Sequence, residues 1–166
     1  WNRKVSVSAD AAIGLAISHD RGLTFQRNGT GPVMAATLHE PFLVGDAFVI
    51  KVDDTYHMWY IFGLRWVRRA PGEAPDRVYK IAHATSTDGI EGRRNGRPVI
   101  ADRLNADECQ ALPTVIGLDG SYHMYFCYRE AHGFRSDSIS AYRIGYARST
   151  DLLNWVRDDY SSGIEV

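Results

Sequence analysis

The strongest constraint on this chain is an internal repeat. Residues 12–25 read AIGLAISHDRGLTF, residues 79–92 read YKIAHATSTDGIEG and residues 142–155 read YRIGYARSTDLLNW. Each is a strand-like stretch followed by Ser-x-Asp and a turn. Asp20, Asp88 and Asp151 mark the same point, 68 and 63 positions apart. Between them lie YHMWYIF at 56–62 and YHMYFCY at 122–128, offset by 66. Ahead of these come DAFVIKV at 46–52 and PTVIGL at 113–118. Three elements recurring in one order at one period define a repeat unit.

The elements are short, rich in Val, Ile, Tyr, Phe and Trp, and bounded by turn residues, which is strand composition. The YHMWYIF type is apolar on both faces and predicts a strand covered on both sides. Asp53-Asp54 and Asp119-Gly120 read as tight hairpin turns. The Ser-x-Asp segments read as turns whose side-chain oxygens bond the local backbone. No stretch shows an amphipathic helical period.

Each unit therefore has four strands, near 45–52, 55–63, 79–86 and 93–99, and again near 112–118, 121–129, 142–149 and 154–158. The N-terminal segment supplies only two, near 11–18 and 24–28. Stacked four-stranded repeats are the blades of an all-β propeller. The chain divides into a blade remnant at 1–34, a blade at 35–100 and a blade at 101–166. Propellers close with four to eight blades, so two and a half blades do not close a ring. A chain naturally this short is expected to self-associate, as a dimer, through its exposed edges. Met58, Tyr60, Ile81, Met124, Phe126 and Ile144 are the expected core between blades.

Blade topology gathers the loops at 35–45, 64–78, 101–111 and 130–141 on one end. Long loops on a rigid scaffold are where function concentrates. They carry Glu40, Arg65, Trp66, Asp107, Glu108, Arg129 and Glu130, with Asp46 at a strand start. Asp46 and Glu108 each adjoin the innermost strand of a blade and are expected to face a common funnel. Two carboxylates across a cleft are what glycosidic cleavage needs, one giving a proton and the other acting as nucleophile or base. Arg65, Trp66, Arg129, Glu130 and Glu40 are the candidate substrate-binding residues.

The net charge of -1 gives no electrostatic footprint for nucleic acid. The arginines at 65, 68 and 69 are balanced by acids elsewhere. No apolar run is long enough to span a membrane and no signal peptide is visible; a soluble protein is the expectation, and the compartment stays open with the cytoplasm slightly favoured. Cys109 and Cys127 belong to no CxxC pair, and a disulfide between them stays open. His57 and His123 sit at equivalent strand positions and read as structural, and no metal or other cofactor is expected. Trp59 and Trp155 read as core.

Taken together, IGLAIS-x-D-x-G-x-TF from Ile13, MWY from Met58, IxxAxSxDGI from Ile81, E-x-x-A-x-P-x-VI from Glu108 and YRIGYARSxD from Tyr142, with W-x-R-D at 155–158, resemble the five-bladed propeller glycoside hydrolases of the invertase, levansucrase and arabinanase superfamily. The resemblance covers nearly the whole chain and about half of such a propeller. It implies a carbohydrate substrate and acid/base chemistry, with Glu108-Cys109 matching the motif of the general acid. Gly45-Asp46-Ala47 matches only loosely the Arg-Asp-Pro motif of the transition-state stabiliser, having neither the Arg nor the Pro. Glu40, before Pro41, competes for that role. Leu112 stands where the resemblance implies an Arg. The family's nucleophile motif has no match, so the chain reads as an incomplete glycosidase-like domain. The alternative is a non-catalytic carbohydrate-binding or assembly module that kept the fold.

Overall fold

The computed structural model describes residues 10–68 and 70–164. The first nine residues of the blade remnant, Arg69 of the arginine group and the last two residues lie outside it.

Among the described residues, ten strands form three antiparallel sheets. The first pairs β1 (Ala16–Ile17) with β2 (Gln26–Arg27). The second runs β3 (Phe42–Val52), β4 (Thr55–Val67), β5 (Asp76–Ser86) and β6 (Arg93–Arg94) in chain order. The third repeats that order with β7 (Cys109–Leu118), β8 (Ser121–Arg129), β9 (Arg143–Ser149) and β10 (Val156–Arg157). A 3-10 turn at Asp159–Ser162 follows. The architecture is all-β propeller blades, two of them four-stranded.

Local chemistry explains the hairpins. Val52 pairs with Thr55 and Leu118 with Ser121, which leaves two-residue turns. Asp119 and Gly120 both hold positive φ, 50° and 75°, as a turn matched to strand twist requires. The three Ser-x-Asp turns are built alike: Ser18, Ser86 and Ser149 each donate to the following Asp, and their hydroxyls accept its amide. Hydrogen bonds from Thr24 hold the Asp20 carboxyl down at about 2. The backbone amides of Ile90 and Asn154 lower Asp88 and Asp151 in the same way.

The sheets stack face to face. The front of the second sheet, with Val44, Tyr60, Phe62, Ala82 and Ala84, buries against Met34 and Ile13 of the N-terminal segment. Its rear, with Trp59, Ile61, Tyr79 and Ile81, packs on the front of the third sheet through Val115, Met124, Phe126 and Ala147. Of the expected core, Tyr60, Ile81, Met124 and Phe126 are buried and Met58 is partly so. Ile144 is not: it is 40% exposed. The alternation of β9 places it on the rear of the third sheet, which no further sheet covers among the described residues. Trp59 is buried and Trp155 meets it edge-on, ring centroids 5.7 Å apart. Cys109 and Cys127 are both free, so the two form no disulfide.

The two strand histidines each have a partner. His57 Nδ1 lies 3.1 Å from His83 Nε2, and His123 Nδ1 lies 2.6 Å from the Tyr146 hydroxyl. Burial, with the neighbouring His57, pushes His83 down to about 4.

Met124→Ala should cost about 2–5 kcal/mol in urea denaturation, whereas Ile144→Ala should cost less than about 1 kcal/mol because its side chain is not enclosed. Equal losses at both sites would contradict the stacking. His83 takes up a proton less readily folded than unfolded, so its contribution is complete above about pH 6.5 and disappears as the pH falls toward about 4. Discounted for partial exposure, the expected loss is about 1–2 kcal/mol. Denaturation at pH 7.5 and pH 4.5 should show it, and His83→Gln should remove it.

Candidate functional site

Strand pairing brings the expected functional loops to one end of the stack. Phe42 pairs with Gly63, Val67 with Asp76, and Cys109 with Arg129. The start of β3, the end of β4, the start of β7 and the end of β8 therefore share that end.

Asp46 lies on β3, exposed, inside a break in the β3–β4 register between Gly45 and Phe48. Its φ is 50°. Leu112, 66 positions later, sits in the matching break of β7 between Ala111 and Thr114, with φ 52°. A bulge of this kind turns a side chain away from the sheet and is common beside active sites. A bulky Leu held in the left-handed region shows that the fold imposes the bend, since the residue does not favour it. Burial, and then the charge of Asp46, push the Cys127 thiol up.

Arg65 and Trp66 project from the end of β4. Arg65 pairs with Asp107 at 2.6 Å and donates to the Ala106 carbonyl at 2.7 Å, tying the second sheet to the loop before β7. Trp66 stacks on Phe42 with ring centroids 4.8 Å apart at 20°, and 42% of it is exposed. Glu130 accepts from Asn105 at 2.6 Å, and His132 Nδ1 lies 2.6 Å from Asp76. Arg129 is buried. Its guanidinium lies 3.5 Å from the Phe134 ring centre and donates to the Tyr79 hydroxyl at 2.8 Å and the Glu130 carbonyl at 2.6 Å. It fastens the 130–141 loop and offers little surface to a ligand.

Glu108, expected to face a common funnel with Asp46, is enclosed. It is 0% exposed, and its carboxylate is surrounded by donors of the third sheet and the loop that precedes it. Oε2 accepts the amides of Arg103 and Leu104, both at 3.0 Å. Oε1 accepts Gln110 Nε2 at 3.0 Å and Arg157 Nη1 at 2.6 Å. Arg157 belongs to β10, the last strand of the sheet. No hydrogen bond or ion pair joins Glu108 to Asp46 among the described residues.

Glu40 occupies the same place one repeat earlier. It is 1% exposed, pairs with Arg94 at 2.5 Å and accepts the Tyr60 hydroxyl. Arg94 pairs with Ala84 across β5–β6, as Arg157 pairs with Ala147 across β9–β10. Arg94 donates to the Ala35 carbonyl and Arg157 to the Ala101 carbonyl. Tyr60 is replaced by Phe126, whose ring lies 5.0 Å from the Arg157 guanidinium. Each four-stranded sheet thus carries an acid just before its first strand, clamped to an arginine on its last. A further repeat in the sequence marks this clamp: PVMA at 32–35 and PVIA at 98–101, each followed by the acid. Around the second clamp, Asp159 takes both Arg157 and Arg103. Burial works to raise its carboxyl, and those arginines outweigh it and hold it below the ordinary range.

No group of three or more His, Cys, Asp or Glu able to hold a metal occurs among the described residues. No helix there is long and apolar enough to cross a membrane.

No family model matches the chain. Uncharacterised proteins of two Mycobacterium tuberculosis strains are 34% identical over 167 residues, taking in 100% of this chain and 51% of theirs. The chain thus spans about half the length of the curated relatives it matches. Among solved structures, a complex of BT0996 with RGII superposes with a TM-score of 0.68 at 20% identity, over 92% of this chain and 44% of that protein. A glycoside hydrolase gives 0.67 at 20% identity, with the same coverage. The Penicillium chrysogenum α-L-arabinanase complexed with arabinobiose gives 0.60 at 16% identity, over 97% and 44%. At these identities the likeness is one of fold.

If Glu40 and Glu108 are clamps, Glu108→Ala and Glu40→Ala should each cost about 3–5 kcal/mol, since each strands a buried arginine. Asp46→Asn, exposed on its bulge, should change stability by less than about 0.5 kcal/mol. Urea denaturation of the three variants checks this, and a Glu108→Ala protein as stable as its parent would contradict it.

Proposed function

From a chain that carries part of a propeller glycoside hydrolase fold, we propose a glycosidase-like, carbohydrate-recognising half-site that is completed by walls this chain does not supply. In this reading the units at 1–34, 35–100 and 101–166 are a blade remnant and two blades of a five-bladed ring. The observation that carries the proposal is Asp46, an exposed acid held on a bulge of the first strand of its sheet. At the end of the sheet where β3 begins and β4 ends stand the Phe42–Trp66 stack, an exposed aromatic surface of the kind that packs on sugar rings, and the Arg65–Asp107 pair, which can meet hydroxyl groups.

Hydrolysis of a glycosidic bond needs two carboxyl groups about 5–10 Å apart. Asp46 is one, and its partner comes from the missing walls. Glu108 and Glu40 hold the scaffold in this assignment, and Arg129 and Glu130 shape the rim. A second reading, a non-catalytic binding or assembly module, is favoured by one observation: the Glu-Cys acid is enclosed, and its carboxylate is surrounded by the donors of Arg103, Leu104, Gln110 and Arg157.

NMR titration with neutral disaccharides, arabinobiose among them, tests the recognition. The Trp66 indole signal should shift, and Trp66→Ala should weaken binding at least tenfold with the melting temperature unchanged. A Trp66 signal unmoved by every saccharide at millimolar concentration would reject the half-site. Hydrolysis of the same disaccharides by a full-length relative, lost on replacing the Asp that matches Asp46 while saccharide binding is kept, separates enzyme from module.

A further inference from the structure

The two bulges carry side chains of opposite chemistry on neighbouring strands. Asp46 and Leu112 sit at matched points of β3 and β7, both in breaks of register and both at φ near 50°. β3 and β7 lie against each other. Ala111, next to Leu112, pairs with Cys127, the thiol on which the charge of Asp46 acts. The two bulges are therefore neighbours. Asp tolerates left-handed backbone, whereas Leu pays for it in strain. Leu112 also precedes Pro113, and the residue before a proline is pushed toward extended backbone. Its side chain recovers nothing from the core: it is 58% exposed and packs in neither hydrophobic cluster of the described residues. A strained backbone that exposes an apolar side chain is the kind of outlier that gathers at ligand sites.

We propose that Leu112 is a specificity-determining side chain of the saccharide site, an apolar neighbour of the Asp46 acid that selects 6-deoxy sugars over their hydroxymethyl parents. This rests on the carbohydrate-recognising half-site inferred above and names its substrate class. The bulge Gly45-Asp46-Ala47 offers a carboxylate, which accepts hydrogen bonds from ring hydroxyls. The bulge Ala111-Leu112-Pro113 carries no polar side chain. A hydroxymethyl or carboxylate group set against Leu112 loses water and gains no partner there. A methyl group in the same place loses little and gains apolar contact. A 6-deoxy sugar presents that combination, with hydroxyls on the ring and a methyl group on C5.

NMR titration of this chain with methyl glycosides that differ only at C6 tests the assignment. The pairs are D-fucoside and D-galactoside, 6-deoxy-D-glucoside and D-glucoside, and L-rhamnoside and L-mannoside. In at least one pair the 6-deoxy sugar should bind about tenfold more tightly, and the Leu112 methyl signals should shift as it binds. Leu112→Met should keep that preference. Leu112→Asn suits the left-handed backbone and offers a hydrogen bond, so it should erase the preference without lowering the melting temperature. Shifts of the Trp66 signal with equal affinity inside every pair would overturn the role of Leu112 and leave the half-site standing, as would a preference that survives Leu112→Asn. A Leu112→Asn protein that melts at a lower temperature would make Leu112 a structural residue and overturn it too. No binding in any pair, with the Trp66 signal unmoved, would overturn the half-site and this proposal together.

Discussion

The structure depends on a buried ion pair that recurs once per four-stranded sheet. A four-stranded meander has a natural weakness: its last strand is held by few hydrogen bonds, and here β6 and β10 are only two residues long. Arg94 and Arg157 compensate by reaching back over the sheet to an acid that precedes the first strand. The carbonyls of Ala35 and Ala101 complete the arginine shells. Entry and exit of each sheet are thereby fastened together. A buried ion pair has little net worth beside an apolar replacement, but its geometry is specific, and removing one partner is costly. Such a pair fixes how the chain enters each blade more than it adds stability.

That constraint decides which acids are free to do chemistry. The clamp engages Glu40 and Glu108, each paired with an arginine of the last strand. Once the entering segment is fixed, the first strand must bend to continue, and the bends fall at Asp46 and Leu112, both at φ near 50°. The bulge residue is the one presented away from the sheets. In one blade that residue is an acid and in the next it is a leucine, so the two bulges offer one carboxylate between them.

Much of the fold was legible because the repeat gives register as well as element type. β8 falls at the expected 121–129, β4 and β5 contain the expected 55–63 and 79–86 and run further toward the loop end, and β3 and β7 each begin three residues earlier than the expected starts at 45 and 112 because each continues through its bulge. The fourth strands shrink to two residues because backbone pairing there gives way to side-chain clamping. Ile144 shows a limit of register: the repeat told which face it occupies, but not whether a further sheet covers that face, and among the described residues none does. Glu108 shows another. A Glu-Cys motif identifies a position along the chain and says nothing about the direction of the side chain. The recurring PV-x-A stretch, with an acid after it and an arginine on the fourth strand, carried that information.

The central claim is that Glu108–Arg157 and Glu40–Arg94 are one device used twice. A double-mutant cycle on each pair tests it most directly, with Glu→Ala and Arg→Ala singly and together, read by urea denaturation. The account predicts coupling of about 2 kcal/mol or more in both cycles, with each double variant more stable than the sum of its single losses implies. Additive losses at Glu108 and Arg157, beside coupled losses at Glu40 and Arg94, would contradict it and return Glu108 to the chemistry of the site.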